Sequence, residues 1–384
     1  MKSIFRRFNL VSVFILWRLI LFIPLIVGIY LILQNKPGDF TYIYNPLSWP
    51  ASFDSLILFP WANFDGIHYI NIAQYGYINQ ARFFPLFPLV ITIFTTPFIN
   101  ILNSPLAHFF TGLVLVNLIF LAALWIFRKL VKIDFPDKVA EKGILYFLIF
   151  PTAFFFVSIY SEGLFLLLAL LSFYFARKRM WFLSIICVML LMATRFVGVA
   201  ILPALLYEFL KSGKVEMKKL LLFLLAPLGL AAYALFNFYK WDNFLYFIQS
   251  QGELGNNRSV NSVILFPQTI FRYIKILFTV PIKSLDWSIA LLELGVFLFV
   301  AIMLFIAWKK KIRTSYLIFA AINFAIITAT GTFSGLPRYI LTIFPIFIAM
   351  ALIENKYFKF FYIIISPVLL FILLLLFSRG YYVA

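Results

Sequence analysis

The chain has 384 residues, of which 64% are hydrophobic, 20% aromatic and only 12% charged, and its net charge is +18. With a mean hydropathy of +1.02 it cannot cover its surface with polar atoms, so its solvent is lipid. A soluble enzyme, a disordered tail and a disulfide-built secreted domain are excluded, and the long, non-alternating apolar runs argue against a closed barrel.

Met1–Arg7 is basic and precedes an apolar run over about residues 11–33. No small-residue cleavage site follows, so the segment reads as a retained first span. Residues 34–82 make a first outer loop, followed by apolar runs at 83–100 and 106–127. Basic clusters then punctuate the chain: Lys2/Arg6/Arg7, Arg128/Lys129/Lys132/Lys138/Lys142, Arg177/Lys178/Arg179, Lys211/Lys214/Lys218/Lys219, Lys309/Lys310/Lys311/Arg313 and Lys356/Lys359. They sit in short loops between apolar runs, which is the pattern of cytoplasmic loops and not of a nucleic-acid surface. Placing all six on one side requires an even number of crossings between them. Parity therefore selects 83–100, which carries Pro85, Pro88 and Pro97, as a non-crossing segment. The alternative is that it crosses and the 128–142 loop is external. Helices are expected at about 220–238, 288–308 and 360–377, with a second large outer loop at 239–287. The single cysteine, Cys187, lies in an apolar run and reads as a packing residue.

These spans predict a single all-α integral membrane domain over residues 1–384, a polytopic bundle of about 11 (10–13) transmembrane helices, with short amphipathic helices in the first outer loop. Ionisable residues outside the basic clusters gather at the outward turns, where they default to a functional role. The densest stretch runs from Phe64 through Asp65, His68, Tyr69 and Tyr75 to Tyr77, and Arg82 follows in Arg82-Phe-Phe-Pro-Leu-Phe-Pro88. As a helix it places Asp65, His68 and Tyr69 on one face, with Asp65 in the first turn where a carboxylate is favoured. Asp65-x-x-His68 supplies too few ligands for a metal, so none is expected. Tyr160-Ser161-Glu162 turns one hairpin, with Ser161 as N-cap, and Thr194-Arg195 turns another. A third holds Pro337-Arg338-Tyr339.

Asp-Gly-x-His-Tyr-x-x-Ile-Ala-x-x-Gly-Tyr from Asp65 to Tyr77, followed by Phe-Phe-Pro-Leu-Phe-Pro, resembles the PIG-V-like mannosyltransferases, the family of the second GPI mannosyltransferase and its prokaryotic relatives. The Glu162 hairpin, the Arg195 turn and Pro337-Arg338-Tyr339 follow in the family's order, and the resemblance covers roughly residues 10–350. One departure is Phe64, where the family usually has Trp. The resemblance implies a GT-C glycosyltransferase using a polyprenyl-phosphate-mannose donor and a glycolipid or glycan acceptor on the non-cytoplasmic face, with no cofactor.

Such a transfer needs a base for the acceptor hydroxyl and positive charge for the departing phosphate. Asp65 is the candidate base. Arg195 and Arg338, with Arg82 behind them, are candidate phosphate ligands, and Glu162 orients hydroxyls. His68, Tyr69 and Tyr160 complete the expected substrate site, and Trp61, Tyr75 and Trp241 are candidates to stack on sugars. The abundance of Phe, Ile and Lys suggests an AT-rich genome, hence a prokaryotic plasma membrane, with the endoplasmic reticulum as the other location. The rival reading is a flippase or transporter of a lipid-linked sugar. Transporters place ionisable groups at the midplane of repeated halves, and no repeat is visible here.

Overall fold

The computed structural model describes residues 9–34, 43–46, 53–99, 101, 104–213, 216–252, 258–259 and 262–384. Lys2, Arg6, Arg7, Lys214 and parts of both outer loops lie outside the described residues. About three-quarters of the chain is helical. Among the described residues no strand forms, and an isolated bridge joins Ile264 to Thr330.

The helices used below are α1 (Leu10–Leu31), α2 (Asp65–Tyr75), α3 (Leu86–Thr95), α4 (Ser104–Val131), α5 (Asp137–Leu148), α6 (Glu162–Arg177), α7 (Trp181–Met192), α8 (Ile201–Lys211), α9 (Met217–Trp241), α10 (Phe266–Thr279), α11 (Leu285–Lys309), α12 (Thr314–Thr328), α13 (Leu336–Tyr339), α14 (Pro345–Ala351) and α15 (Lys356–Ser378). Five of them, α1, α4, α9, α11 and α15, are long and apolar enough to cross a bilayer. The expected count of about 11 is not reached by length. Helices α6, α7, α8 and α12 have 16, 12, 11 and 15 residues. A helix enclosed by protein can end within the hydrocarbon layer, because neighbours satisfy its terminal groups. The proline-bearing run makes α3, of 10 residues, too short for the roughly 20 that a straight crossing takes. The amphipathic α10, inside the second outer loop, was not expected from sequence.

At the centre stands α6. Its side chains are buried on almost every side, against α4 and α7 above all. Contact in such a bundle comes from close packing rather than from water exclusion. Gly229 shows how close: a Cβ there would lie 1.9 Å from the carbonyl oxygen of Met189, so α9 crosses α7 backbone to backbone.

The two ends of α6, about 24 Å apart at 1.5 Å per residue, differ in chemistry. At its C-terminus Arg177 grips Asp134 at 2.5 and 2.8 Å. Nearby Glu208 of α8 accepts from Arg313 at 2.8 and 2.5 Å and from Ser315 at 2.7 Å. Arg128 holds Asp137 at 2.9 and 2.8 Å, clamping α4 to α5. The few acids there thus pair with Arg128, Lys132, Arg177 and Arg313. The N-terminus of α6 carries Glu162 and the candidate site.

Candidate active site

The segment before α2 is held in a strained shape. Phe64 has φ of +57°, a left-handed value costly for a residue with a side chain. Tyr160 braces it from both sides: its hydroxyl donates to Asn63 O at 2.9 Å and accepts from the Asp65 N–H at 3.3 Å. Gly66 sits where a Cβ would be 3.4 Å from Ile159 O, so α2 begins directly on the turn leading to α6. Helix α2 buries Tyr69, Ile70 and Ala73, packing against α3 and α4.

On the facing side, Gly335 adopts φ of +79° and starts α13. Its N–H donates to Glu293 of α11 at 3.2 Å. Tyr273 of α10 donates to the same carboxylate at 2.5 Å and accepts from the Phe333 N–H at 3.0 Å. Thr152 donates to Pro337 O at 2.5 Å. These contacts aim Arg338 and Tyr339 back at α2 and α6.

Four turns therefore converge. Arg338 Nη1 donates to Asp65 Oδ2 at 2.7 Å, and its Nε lies 3.3 Å from Glu162 Oε1. Arg195 Nη1 reaches the same Glu162 oxygen at 2.5 Å. Arg338 and Glu162 are nearly sealed, at 8% and 2% side-chain exposure, whereas Asp65 keeps 24%. The Tyr339 hydroxyl accepts from Arg338 Nη2 at 3.0 Å and Arg258 Nη2 at 2.8 Å, and the Arg195 guanidinium lies 4.7 Å from the Tyr339 ring centroid. A cavity of about 260 Å³ opens over this cluster. It is lined by Asp65, Tyr69, Arg82, Glu162, Arg195, Arg258, Arg338 and Tyr339, with Phe83, Phe84, Phe196 and Phe247 as apolar walls. Four guanidiniums meet two carboxylates there, an excess of two positive charges.

The electrostatics follow from that excess. Burial pushes the Asp65 carboxyl up, but Arg338, Arg82 and His68 together hold it below its usual range. Burial lowers the His68 imidazole and Arg82 opposes its charging, against the pull of Asp65. Burial raises the Tyr339 phenol, and Arg258, Arg338 and Arg195 then bring it down to about 7.

Asp65, Tyr69, Arg82, Glu162, Arg195 and Arg338 are thus brought to one cavity. Tyr69 also donates to Ser161 at 2.9 Å, and the Ser161 side chain makes no N-cap bond, so the expected cap is replaced by this link. His68 and Tyr160 do not line the cavity. The His68 ring stacks on Phe83 at 4.8 Å, and Tyr160 lies beneath Asp65 as its brace. Trp61 is fully buried with the Arg18 guanidinium 3.7 Å from its ring centroid, so its ring is occupied within the protein. Trp241 donates to Ile78 O at 3.2 Å. Among the described residues no group of three or more His, Cys, Asp or Glu could hold a metal. Sequence reasoning missed Arg258 and gave Tyr339 no role. The one available signal for Arg258 was an ionisable residue in an outer loop away from every basic cluster.

A family model described as Mannosyltransferase (PIG-V) matches residues 7–244. The chain belongs to the PIG-V mannosyltransferase family. No curated protein matches it. The family match, with the apolar helices, makes this chain a membrane glycosyltransferase of the mannosyltransferase class. The matched region contains Asp65, Tyr160, Glu162 and Arg195 but stops before Arg258, Arg338 and Tyr339, so half of the residues lining the cavity lie beyond it.

Proposed function

We propose that the chain transfers mannose from a polyprenyl-phosphate-mannose donor to a lipid-linked or glycan acceptor on the non-cytoplasmic face of the membrane, as a GT-C-type enzyme. One observation carries this reading: a carboxylate and a guanidinium 2.7 Å apart open onto a cavity with two excess positive charges. The acceptor hydroxyl gives its proton to the Asp65 carboxylate as its oxygen bonds to the anomeric carbon. The bond from that carbon to the phosphate oxygen breaks, and the electron pair leaves with the phosphate. A phosphodiester of charge −1 becomes a phosphomonoester approaching −2, so the cavity's positive excess favours the transition state and product over the bound donor. No acid is needed for the leaving group, unlike glycoside hydrolysis, which normally uses two carboxyl groups.

Arg338 links the two events. While it holds Asp65 the carboxylate is a weak base. A phosphate that draws on Arg338 relaxes that hold, and Asp65 becomes more basic when the donor is in place. The outward assignment rests on charge: the described clusters around Arg128, Arg177 and Arg313 lie at the opposite end of α6 from Asp65, and such clusters stay cytoplasmic. The experiment uses the purified chain in detergent with polyprenyl-phosphate-[14C]mannose and a lipid and glycan extract of the source membranes. Label entering the extract as polyprenyl phosphate is released supports the reading. Full recovery of intact donor, with donor translocation in vesicles, would replace it by a flippase.

A further inference from the structure

The four cavity arginines are not equivalent. Arg338 is paired with Asp65 and Glu162, and Arg195 with Glu162. Arg82 lies over the Phe83 ring, 4.8 Å from its centroid, and within the field of Asp65. Arg82, like Arg258, forms no ion pair among the described residues, but no hydrogen bond fixes its direction; Arg258 is both unpaired and held in place. Among the described residues no carboxylate forms an ion pair with it. Its Nη2 donates to Tyr339 Oη at 2.8 Å and Ser334 O at 3.1 Å, and its Nη1 to Gln251 Oε1 at 3.2 Å. Its Nε is buried and meets no acceptor among the described residues. Glu293 senses the charge of Arg258, but that carboxylate accepts from Tyr273 and Gly335 instead.

A buried guanidinium with no carboxylate partner among the described residues keeps charge available to a ligand, and an N–H without an acceptor favours one that brings an oxygen. The three fixed contacts set its direction in advance, so little ordering remains when an anion arrives. Arg195 and Arg338, by contrast, must loosen from a carboxylate before either binds a phosphate fully.

We propose that Arg258 is the primary ligand of the lipid-linked phosphate, with Tyr339 as the positioning residue that aims it; this rests on the lipid-phosphate donor proposed above. The second outer loop then supplies the donor handle, and the first supplies the base. Arg195 and Arg338 join as charge builds on the departing oxygen.

The test uses the full chain in phosphatidylcholine nanodiscs and measures binding of decaprenyl monophosphate, with decaprenol as the phosphate-free control and inorganic phosphate as competitor. Arg258→Gln is expected to weaken decaprenyl monophosphate binding by about 10–100-fold, the loss of a charge-assisted contact, and to leave decaprenol binding unchanged. Arg258→Lys, which keeps the charge without the fork, should recover part of the loss. Tyr339→Phe should weaken phosphate binding a few-fold and raise the donor KM more than it lowers kcat, because the phenol acts through Arg258. A purely structural tether between loop and turn would instead weaken both lipids equally in Arg258→Gln, and that result overturns the proposal. So does wild-type phosphate affinity in a folded Arg258→Gln variant, which leaves the donor reading standing. Displacement of decaprenyl monophosphate by an equal mole fraction of phosphatidylglycerol would make this a general anionic-headgroup site and overturn the donor assignment. If the wild-type chain prefers decaprenol or binds both lipids equally, the lipid-phosphate donor itself is refuted and the role of Arg258 with it.

Discussion

Replacing Asp65 by Asn separates the base from the structure around it. The side chain keeps its size, and its amide oxygen can still accept from Arg338. Arg338 also retains Glu162 at 3.3 Å and Tyr339 at 3.0 Å. Breaking a fully buried ion pair costs about 3–5 kcal/mol. With Asp65 part-exposed at 24% and two partners left to Arg338, we expect a loss nearer about 1–2 kcal/mol, that of a weakened charged hydrogen bond. Transfer should fall far more, by about 10²–10⁴-fold for loss of a general base, or roughly 3–5 kcal/mol in the barrier. The cavity's charge also rises by one, so donor affinity should hold or improve while kcat collapses. The assay follows labelled mannose transfer in detergent alongside the melting temperature and decaprenyl monophosphate binding. A folded Asp65→Asn chain that transfers mannose within tenfold of the wild-type rate would refute the assignment of the base.

At the other end of α6, Glu208→Gln removes the charge that two bonds from Arg313 and one from Ser315 converge on. With the Arg313 side chain 37% exposed and the Gln amide oxygen still able to accept, thermal unfolding should show a loss of about 1–2 kcal/mol with unchanged turnover per folded molecule; a slower folded variant would contradict the separation of the two ends. Tyr339 should give a tyrosinate absorbance step near pH 7 that Tyr339→Phe abolishes. Its folded pKa lies below the unfolded value of about 10, so the stability it contributes is complete above pH 10 and is lost as pH falls through about 7. Between pH 7 and 9 the wild-type melting temperature should rise relative to Tyr339→Phe, and parallel profiles would count against the three-arginine environment.

Composition and hydropathy determined that this chain lives in lipid and is helical, because a bilayer forces every backbone group to find a partner within its own segment. They also located the long spans α4, α9, α11 and α15 to within a few residues. Asp65, Glu162, Arg195 and Arg338 were legible as candidates because each is an ionisable residue at a turn outside the basic clusters, where a polar group carries a cost and so a reason. Length alone did not fix the number of crossings, since a short helix enclosed by protein can end within the hydrocarbon layer. Pairing was not legible either. Asp65 and Arg338 are 273 residues apart in the chain, and no local pattern reports that two distant turns meet. Only the tertiary structure decided that Arg195 and Arg338 are already held by carboxylates, that Tyr160 braces the strained backbone at Phe64, and that Arg258 enters the cavity with no carboxylate partner among the described residues. Charge and hydropathy along a sequence are local sums, whereas a site's chemistry depends on which opposite charges come within a few ångströms in a medium that screens them weakly.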